Sequence, residues 1–206
     1  MTPWRNSDGS IGGIVILSED ITERRRSSEQ VWHQANFDQL TGLPNRRLFL
    51  DRLDMDVSRS ARTGATLALG FIDLDHFKEA NDKFGHAKGD LLLAEAARRI
   101  QSSVRDCDLV SRFAGDEFTV IFHDAVYPSC VEAISRRICA FLNCPFGLGD
   151  GDIAQISASI GIAVFPSDAA DSAGLIKCAD AAMYLAKSGG RNEVKFFHDS
   201  AKAAST

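Results

Sequence analysis

Hydrophobic and polar positions follow regular periods over residues 37–198. Apolar residues recur every three to four positions in four segments, which predicts helices over 47–60, 91–104, 129–142 and 172–187. Runs of aliphatic and aromatic residues predict a strand over 66–72, a hairpin over 109–122, a strand over 154–165 and an edge strand over 194–197. This order of elements predicts an α/β (α+β) fold, in which helices pack on a central, mostly antiparallel sheet.

The first 36 residues have a different pattern. Asp8-Gly9 is typical of a hairpin turn, and the apolar run over 11–17 predicts a strand for which no nearby partner is evident. A two-stranded piece is only marginally stable in water, so residues 1–20 are expected to be the end of a larger domain. A polar helix is predicted over 21–36 as a linker, and residues 199–206 are predicted to be a flexible tail.

Composition narrows the classes of function. A chain of 206 residues can bury one core, and its net charge of −5 argues against binding a nucleic-acid polymer, which requires a basic face. An acidic protein can still bind a nucleotide when divalent cations screen the site. The five cysteines include no Cys-x-x-Cys pair, which favours reduced thiols and a cytoplasmic location. No apolar run approaches the ~18 residues of a membrane span, so no transmembrane segment is predicted.

Two acidic clusters follow apolar strands. Asp116 and Glu117 follow the Ala114-Gly115 turn of the hairpin, and Asp73-Leu74-Asp75 follows the strand over 66–72. If these strands are neighbours, Asp73 and Asp116 converge and can bind Mg²⁺, with the Leu74 carbonyl completing the oxygen ligands. Such metals clamp an α-phosphate and activate an attacking hydroxyl. The alternative is that Asp73 caps a helix and Asp116 is an ordinary turn residue; the spacing leaves both open.

Polar side chains between the strand over 66–72 and the next helix suggest a nucleotide site. Lys78 can neutralise a phosphate, while Asn81 and Asp90 can hydrogen-bond to a base edge. A carboxylate accepts from guanine N1–H and the 2-amino group together, a pattern that adenine lacks. Lys187 and Arg191 can hold phosphates, although basic residues and glycines are also ordinary at the end of a helix.

Arg105 and Asp108 lie just upstream of the hairpin. An arginine and an aspartate three residues apart can fold to one side and bind a guanine, the arginine at N7/O6 and the aspartate at the N–H groups. The alternative is a surface ion pair that contributes little to stability.

Together these residues resemble the GGDEF domain family, the diguanylate cyclases, over about residues 37–198. The resemblance is carried by Asp38-Gln39-Leu40-Thr41-Gly42-Leu43-Pro44-Asn45-Arg46, Phe71-Ile72-Asp73-Leu74-Asp75-His76-Phe77-Lys78, Asn81-Asp82, Gly85-His86, Gly89-Asp90, the hairpin over 114–118, Ala186-Lys187 and Gly190-Arg191-Asn192. It implies a nucleotidyl-cyclase-like palm and the condensation of two GTP molecules into cyclic di-GMP and two pyrophosphates. In addition, Asp20-Ile21-Thr22-Glu23-Arg24 resembles the exit of a PAS sensor domain.

The resemblance also implies a role for each matching residue. Asp73, Asp116 and the carbonyl of Leu74 would bind Mg²⁺ (or Mn²⁺), and Glu117 would assist the metal site or activate the 3′-hydroxyl. Asn81 and Asp90 would recognise guanine, Lys78, Lys187 and Arg191 would hold phosphates, and Ala114-Gly115 would allow close approach of the backbone. Arg105 and Asp108 match the site at which the product, cyclic di-GMP, inhibits the family. Each chain would hold one GTP, so a facing homodimer is expected for catalysis.

One residue departs from the family signature, because Ala114 stands at the position of its first glycine. A methyl group there would cost roughly 1 kcal/mol if the residue had a positive φ or touched phosphate, and almost nothing if φ were negative. We expect activity to be retained. The alternatives are a non-catalytic module that binds GTP or cyclic di-GMP, and a pure interaction domain without nucleotide affinity.

Overall fold

The structure, a computed structural model, describes residues 2–15, 20–125 and 127–198. The chain divides into two compact units, Met1–Ala35 and Asn36–Thr206. The tail predicted over 199–206 and the end of the strand predicted over 11–17, at residues 16 and 17, lie outside the described residues.

The first unit contains a hairpin followed by a helix. Strands β1 (Thr2–Arg5) and β2 (Ile11–Val15) pair antiparallel, so the prediction that this strand has no nearby partner was wrong. The turn is closed by Asp8, whose Oδ1 accepts a hydrogen bond from the Ser10 amide at 2.9 Å, and Gly9 adopts a φ of +85°. Helix α1 (Thr22–Asn36) follows, and its first amide is capped by Asp20.

The second unit contains a five-stranded sheet with helices on both faces, and a separate pair of short strands. Its helices are α2 (Arg46–Thr63), α3 (Phe77–Phe84), α4 (His86–Ser103), α5 (Pro128–Leu142) and α6 (Ser172–Gly189). Its strands are β3 (Leu67–Asp75), β4 (Leu109–Ala114), β5 (Glu117–Phe122), β6 (Phe146–Gly147), β7 (Ile153–Ala154), β8 (Ser157–Phe165) and β9 (Val194–Phe196). The sheet order is β4-β5-β3-β8-β9, with only β9 parallel to its neighbour. The predicted α+β fold with a mostly antiparallel sheet is confirmed.

Alternation along the central strand β3 sorts its side chains between two cores. Ala68, Ile72 and Leu74 belong to the core under α4 and α5, whereas Leu67, Leu69 and Phe71 belong to the core under α2 and α6. Because the alternation has a period of two, Asp73 and Asp75 continue the second set, on the face covered by α6. All nine residues of the strand are buried.

The structure differs from the sequence predictions at several elements. Strand β3 extends through Asp75 rather than ending at residue 72, and helix α3 occupies a segment for which the sequence pattern predicted no helix or strand. Helix α4 begins at His86, five residues earlier than predicted, and strands β6 and β7 form an additional two-stranded pair. None of the helices in the described ranges is both long and apolar enough to cross a bilayer.

Candidate active site

The two acidic clusters meet where β3 lies beside the start of β5. Asp73 pairs directly with Glu117 in the antiparallel register, and the Leu74 amide donates a hydrogen bond to the Asp116 carbonyl at 3.3 Å. The strands are neighbours, as convergence of Asp73 and Asp116 requires. Asp73 does not cap a helix, since the residue before α3 is His76. That alternative for Asp73 is therefore wrong.

Helix α6 adds a lysine to this acidic site. The ammonium of Lys187 lies 2.7 Å from Oδ2 of Asp73, whose side chain is only 10% exposed. The helix can approach the sheet because Gly161 in β8 lies beneath it: a Cβ there would fall 2.1 Å from the Ala179 carbonyl oxygen and the Met183 amide nitrogen. A glycine in β8 thus allows the close contact that places Lys187 over the end of β3.

Burial and mutual repulsion raise the pKa values of two carboxyl groups of the site. Burial raises the pKa of Asp73, and the nearby Asp116 raises it further, although the hydrogen bond from Lys187 opposes the shift. Burial likewise raises the pKa of Glu117, with the charges of Asp73 and Asp116 adding to the effect. Carboxylates held together at this energetic cost favour binding of a cation.

The donor set fits a hard divalent cation, because Asp73, Asp116 and a backbone carbonyl supply only oxygen ligands. Within residues 2–15, 20–125 and 127–198, no three or more His, Cys, Asp or Glu side chains are grouped to hold a metal. The predicted set did not require such a group, since it contains two carboxylates and the carbonyl of Leu74.

Asp75, for which the sequence suggested no separate role, anchors the loop after α6. Its carboxylate accepts hydrogen bonds from the hydroxyls of Ser157 and Ser159 at 2.7 and 2.8 Å, and from the Asn192 amide at 3.1 Å. Arg191, with a φ of +66°, holds its Nε 3.9 Å from the same carboxylate. The spacing of Asp73 and Asp75 places both on one face of a strand, but it does not identify the distant partners of Asp75.

The predicted base-binding residues lie on α3 and α4. A Cβ on Gly89 would fall 1.7 Å from Oδ1 of Asn81, so glycine is what allows this amide to lie against α4. Oδ1 of Asn81 is buried, and the described residues provide it with no hydrogen-bond partner. Asp90 follows Gly89 and is exposed, as is Lys78 on α3. An unpaired buried oxygen beside an exposed carboxylate favours a ligand with N–H donors.

The backbone at the hairpin tip shows that Ala114 does not have a positive φ. Gly115 has a φ of +53°, which favours glycine, whereas Ala114 is not among the described residues with positive φ. Ala114 is exposed at the end of β4, where the register with β5 is irregular. The methyl group therefore introduces no left-handed strain.

Arg105 and Asp108 lie at the opposite end of the hairpin, separated from its tip by strand β4, or about 17 Å. Asp108 accepts hydrogen bonds from the Arg105 and His123 amides, each at 3.1 Å. Among the described residues, no ion pair joins the side chains of Arg105 and Asp108, and Arg105 is exposed. The structure thus keeps this pair apart from the acidic site.

Comparison with known proteins is consistent with this geometry. Residues 35–193 match the family described as diguanylate cyclase, GGDEF domain. The diguanylate cyclase TpbB of Pseudomonas aeruginosa is 43% identical over 155 residues, which are 75% of this chain and 36% of that protein. The cyclic di-GMP phosphodiesterase PdeR of Escherichia coli is 37% identical over 184 residues, 89% of this chain and 27% of its own length.

A solved structure shares the fold. The coiled coil and GGDEF domain of DgcB from Caulobacter crescentus, in complex with c-di-GMP, has a TM-score of 0.81 and 30% identity, covering 86% of this chain and 93% of that one. The chain spans only about a quarter to a third of the curated relatives TpbB and PdeR, at 36% and 27% of their lengths.

Proposed function

The chain belongs to the GGDEF domain family, and we propose that it is a diguanylate cyclase that joins two GTP molecules into cyclic di-GMP. The observation that carries this proposal is the meeting of Asp73, Asp116 and Glu117 beside Lys187 at the hairpin tip. Clustered carboxylates can hold a divalent cation, and the cation and an adjacent ammonium would stabilise the negative charge that develops on the transferred phosphate.

Asp73, Asp116 and the Leu74 carbonyl would hold Mg²⁺ or Mn²⁺. When bound, such a cation neutralises phosphate charge and lowers the pKa of a hydroxyl. Lys187, Arg191 and Lys78 would hold the phosphates of GTP, with Arg191 positioned by the loop that Asp75 anchors. These basic groups would keep the triphosphate fixed at the tip.

Glu117 would receive the proton of the 3′-hydroxyl. It pairs with Asp73 across the sheet, and burial together with the charges of Asp73 and Asp116 raises its pKa, so this carboxylate lies directly beside the proposed metal ligands. The 3′-oxygen then attacks the α-phosphorus of the second GTP, the bond to the β,γ-pyrophosphate breaks, and pyrophosphate leaves. In a second step the 3′-oxygen of the other nucleotide attacks the α-phosphorus of the first, a second pyrophosphate leaves, and the ring closes.

Asn81 and Asp90 would select guanine. The unpaired Oδ1 of Asn81 and the exposed carboxylate of Asp90 are both available to accept hydrogen bonds from a base. Guanine offers N1–H and a 2-amino group, whereas adenine lacks this pair of donors. The wrong base would leave the buried Oδ1 of Asn81 unpaired, which costs about 1–3 kcal/mol.

One chain would supply only half of the reaction centre, so we propose that two copies face each other. Each copy would hold one GTP and bring its 3′-hydroxyl in line with the opposing α-phosphate. Specific activity should therefore fall on dilution, and a value that stays constant would contradict the dimer. Arg105 and Asp108 would bind cyclic di-GMP as an inhibitor, away from the acidic site.

We also propose that residues 37–198 form the GGDEF domain, 21–36 a signalling helix and 1–20 the end of a PAS-type sensor, with a tail over 199–206. Since GTP is an intracellular nucleotide, the proposed location is cytoplasmic.

A second candidate function is a non-catalytic module that binds GTP or cyclic di-GMP. It is favoured by Ala114, which departs from the family signature, and by the match to PdeR, a relative named as a phosphodiesterase. Incubation with GTP and Mg²⁺, followed by chromatography, separates the two candidates. The cyclase forms cyclic di-GMP, which Asp116→Ala should abolish and Asp51→Ala, an exposed aspartate on α2, should not.

A further inference from the structure

Lys187 and Asp73 contact each other although the proposed reaction gives them different ligands. Asp73 would bind the divalent cation and Lys187 would bind phosphate. In this structure Nζ of Lys187 lies 2.7 Å from Oδ2 of Asp73. The ammonium therefore occupies a carboxylate oxygen that the cation would bind, and the carboxylate occupies the ammonium that phosphate would bind. The contact is that of a direct, charge-assisted hydrogen bond.

A divalent cation bound to Asp73 and the Lys187 ammonium are both positive, so they would repel each other if both stayed on this carboxylate. The side chains are 10% and 33% exposed, so water screens the repulsion less than it would at a fully open surface. Lys187 also has a long flexible stem, and its helix ends two residues later at Gly189. The ammonium can therefore leave Asp73 without a rearrangement of the helix.

We propose that Lys187 is an exchangeable internal counter-ion, which neutralises Asp73 in the free protein and is released toward phosphate when a divalent cation binds that carboxylate. This inference rests on the proposed function for the identity of the two ligands. Each ligand would then favour the other, since cation binding frees the ammonium and phosphate binding removes the competitor of the cation.

Arg191 provides the contrast within the same site. Its partner Asp75 is buried and already accepts hydrogen bonds from Ser157, Ser159 and the Asn192 amide. The Arg191 contact is longer, at 3.9 Å, and its side chain is 51% exposed. Asp75 is thus held by several hydrogen bonds from β8 and from the loop after α6, whereas Asp73 is paired with the long, partly exposed side chain of Lys187.

Mn²⁺ affinity in the absence of nucleotide tests the exchange. Isothermal titration would compare the wild type with Lys187→Met, which removes the competing charge, and Lys187→Arg, which keeps it. Lys187→Met should bind Mn²⁺ roughly fivefold or more tightly, and Lys187→Arg should remain close to the wild type. Lys177→Met, an exposed lysine on the same helix, controls for the change in net charge and should also remain close.

The wild-type protein provides a second readout that needs no substitution. Labelling with an amine-reactive ester, read by mass spectrometry, should increase at Lys187 when Mn²⁺ alone is added, while Lys177 stays constant. Thermal unfolding of each variant would establish that it is folded.

The outcomes separate the exchange from the proposed activity. An unchanged or weaker Mn²⁺ affinity in folded Lys187→Met, or unchanged labelling of Lys187, would overturn the exchange. Absence of Mn²⁺ binding by every variant would overturn it together with the metal site. Tighter Mn²⁺ binding by Lys187→Met, together with a wild-type protein that makes no cyclic di-GMP, would uphold the exchange and reject the cyclase.

Discussion

Nη1 of Arg112 lies 3.1 Å from both carboxylate oxygens of Asp38, a residue 74 positions earlier in the chain. Nε of the same guanidinium donates to the Gly115 carbonyl at 2.9 Å, and the Arg112 amide donates to the Pro44 carbonyl at 2.9 Å. Asp38 in turn accepts from the Thr41 amide and hydroxyl. One arginine thus fixes the turn at the start of the domain to the tip of the proposed catalytic hairpin.

Arg112→Met should destabilise the protein by about 2 kcal/mol, because the partly buried Asp38 carboxylate loses its charged partner and keeps only the hydrogen bonds from Thr41. The Gly115 carbonyl also loses its donor. The side chains of Arg112 and Asp38 are only 15% and 24% exposed. Urea unfolding would measure the change. Arg136→Met, which breaks an exposed pair with Glu132, is the control and should cost less than about 0.5 kcal/mol. Equal losses in the two variants would contradict the anchoring role.

The contribution of Asp38 should depend on pH. Burial acts to raise the pKa of Asp38, but hydrogen bonds from Thr41 and the charge of Arg112 outweigh it, so the pKa is lowered. An acid whose pKa falls on folding stabilises the protein above its unfolded pKa of about 3.9, and this stabilisation is lost as the pH falls through the folded pKa. The unfolding free energies of wild type and Asp38→Asn should therefore differ at pH 7, and the difference should shrink as the pH falls below the unfolded pKa and through the lower folded pKa. A constant difference would contradict this assignment.

Two neighbouring arginines on α4 should behave differently. Both bind Glu95, but Arg99 also donates to the carbonyl of Phe141 in the last turn of α5 and to those of Cys144 and Pro145 just after it. Arg99 is 14% exposed and Arg98 is 68% exposed. Arg99→Met should cost about 3 kcal/mol of unfolding free energy, and Arg98→Met at most about 0.5 kcal/mol. Chemical denaturation of both variants checks the difference, which would be absent if Glu95 pairing were the main contribution.

The two small residues at the hairpin tip give a further prediction. Gly115→Ala should lose about 1 kcal/mol of stability, since its φ of +53° is strained for alanine and nothing else lies within 4 Å of the added Cβ. Ala114→Gly should change the cyclase rate by no more than about twofold, because Ala114 has no positive φ to relieve. Parallel thermal unfolding and product assays would measure both. A large gain of activity in Ala114→Gly would show that its methyl group obstructs the nucleotide.

The sequence predicted the elements whose hydrophobic pattern is strong and missed those decided by distant partners. The apolar run ends at Ile72, so the strand predicted over 66–72 stops before Asp73. Strand β3 continues because Lys187, Ser157, Ser159 and the Asn192 amide satisfy Asp73 and Asp75, and these residues lie more than 80 positions away. Helix α3 was missed since only Ala80 of its residues is fully buried.

The same distinction applies to the site. Convergence of Asp73 with the hairpin follows from strand adjacency, which the acidic clusters already suggested. The Lys187–Asp73 ion pair and the loop-anchoring role of Asp75 depend on how α6 crosses the sheet at Gly161. No local pattern near residues 73–75 specifies that crossing, so these contacts required the structure.

The most direct test of the central claim is the ratio of products formed from GTP and Mg²⁺ by the wild-type chain and by Asp116→Ala. The wild type should release two pyrophosphates for each cyclic di-GMP and the variant should form neither product, because Asp116 lies at the proposed metal site beside Glu117. GTP that binds to the wild type without release of pyrophosphate would contradict the account and identify a binding module.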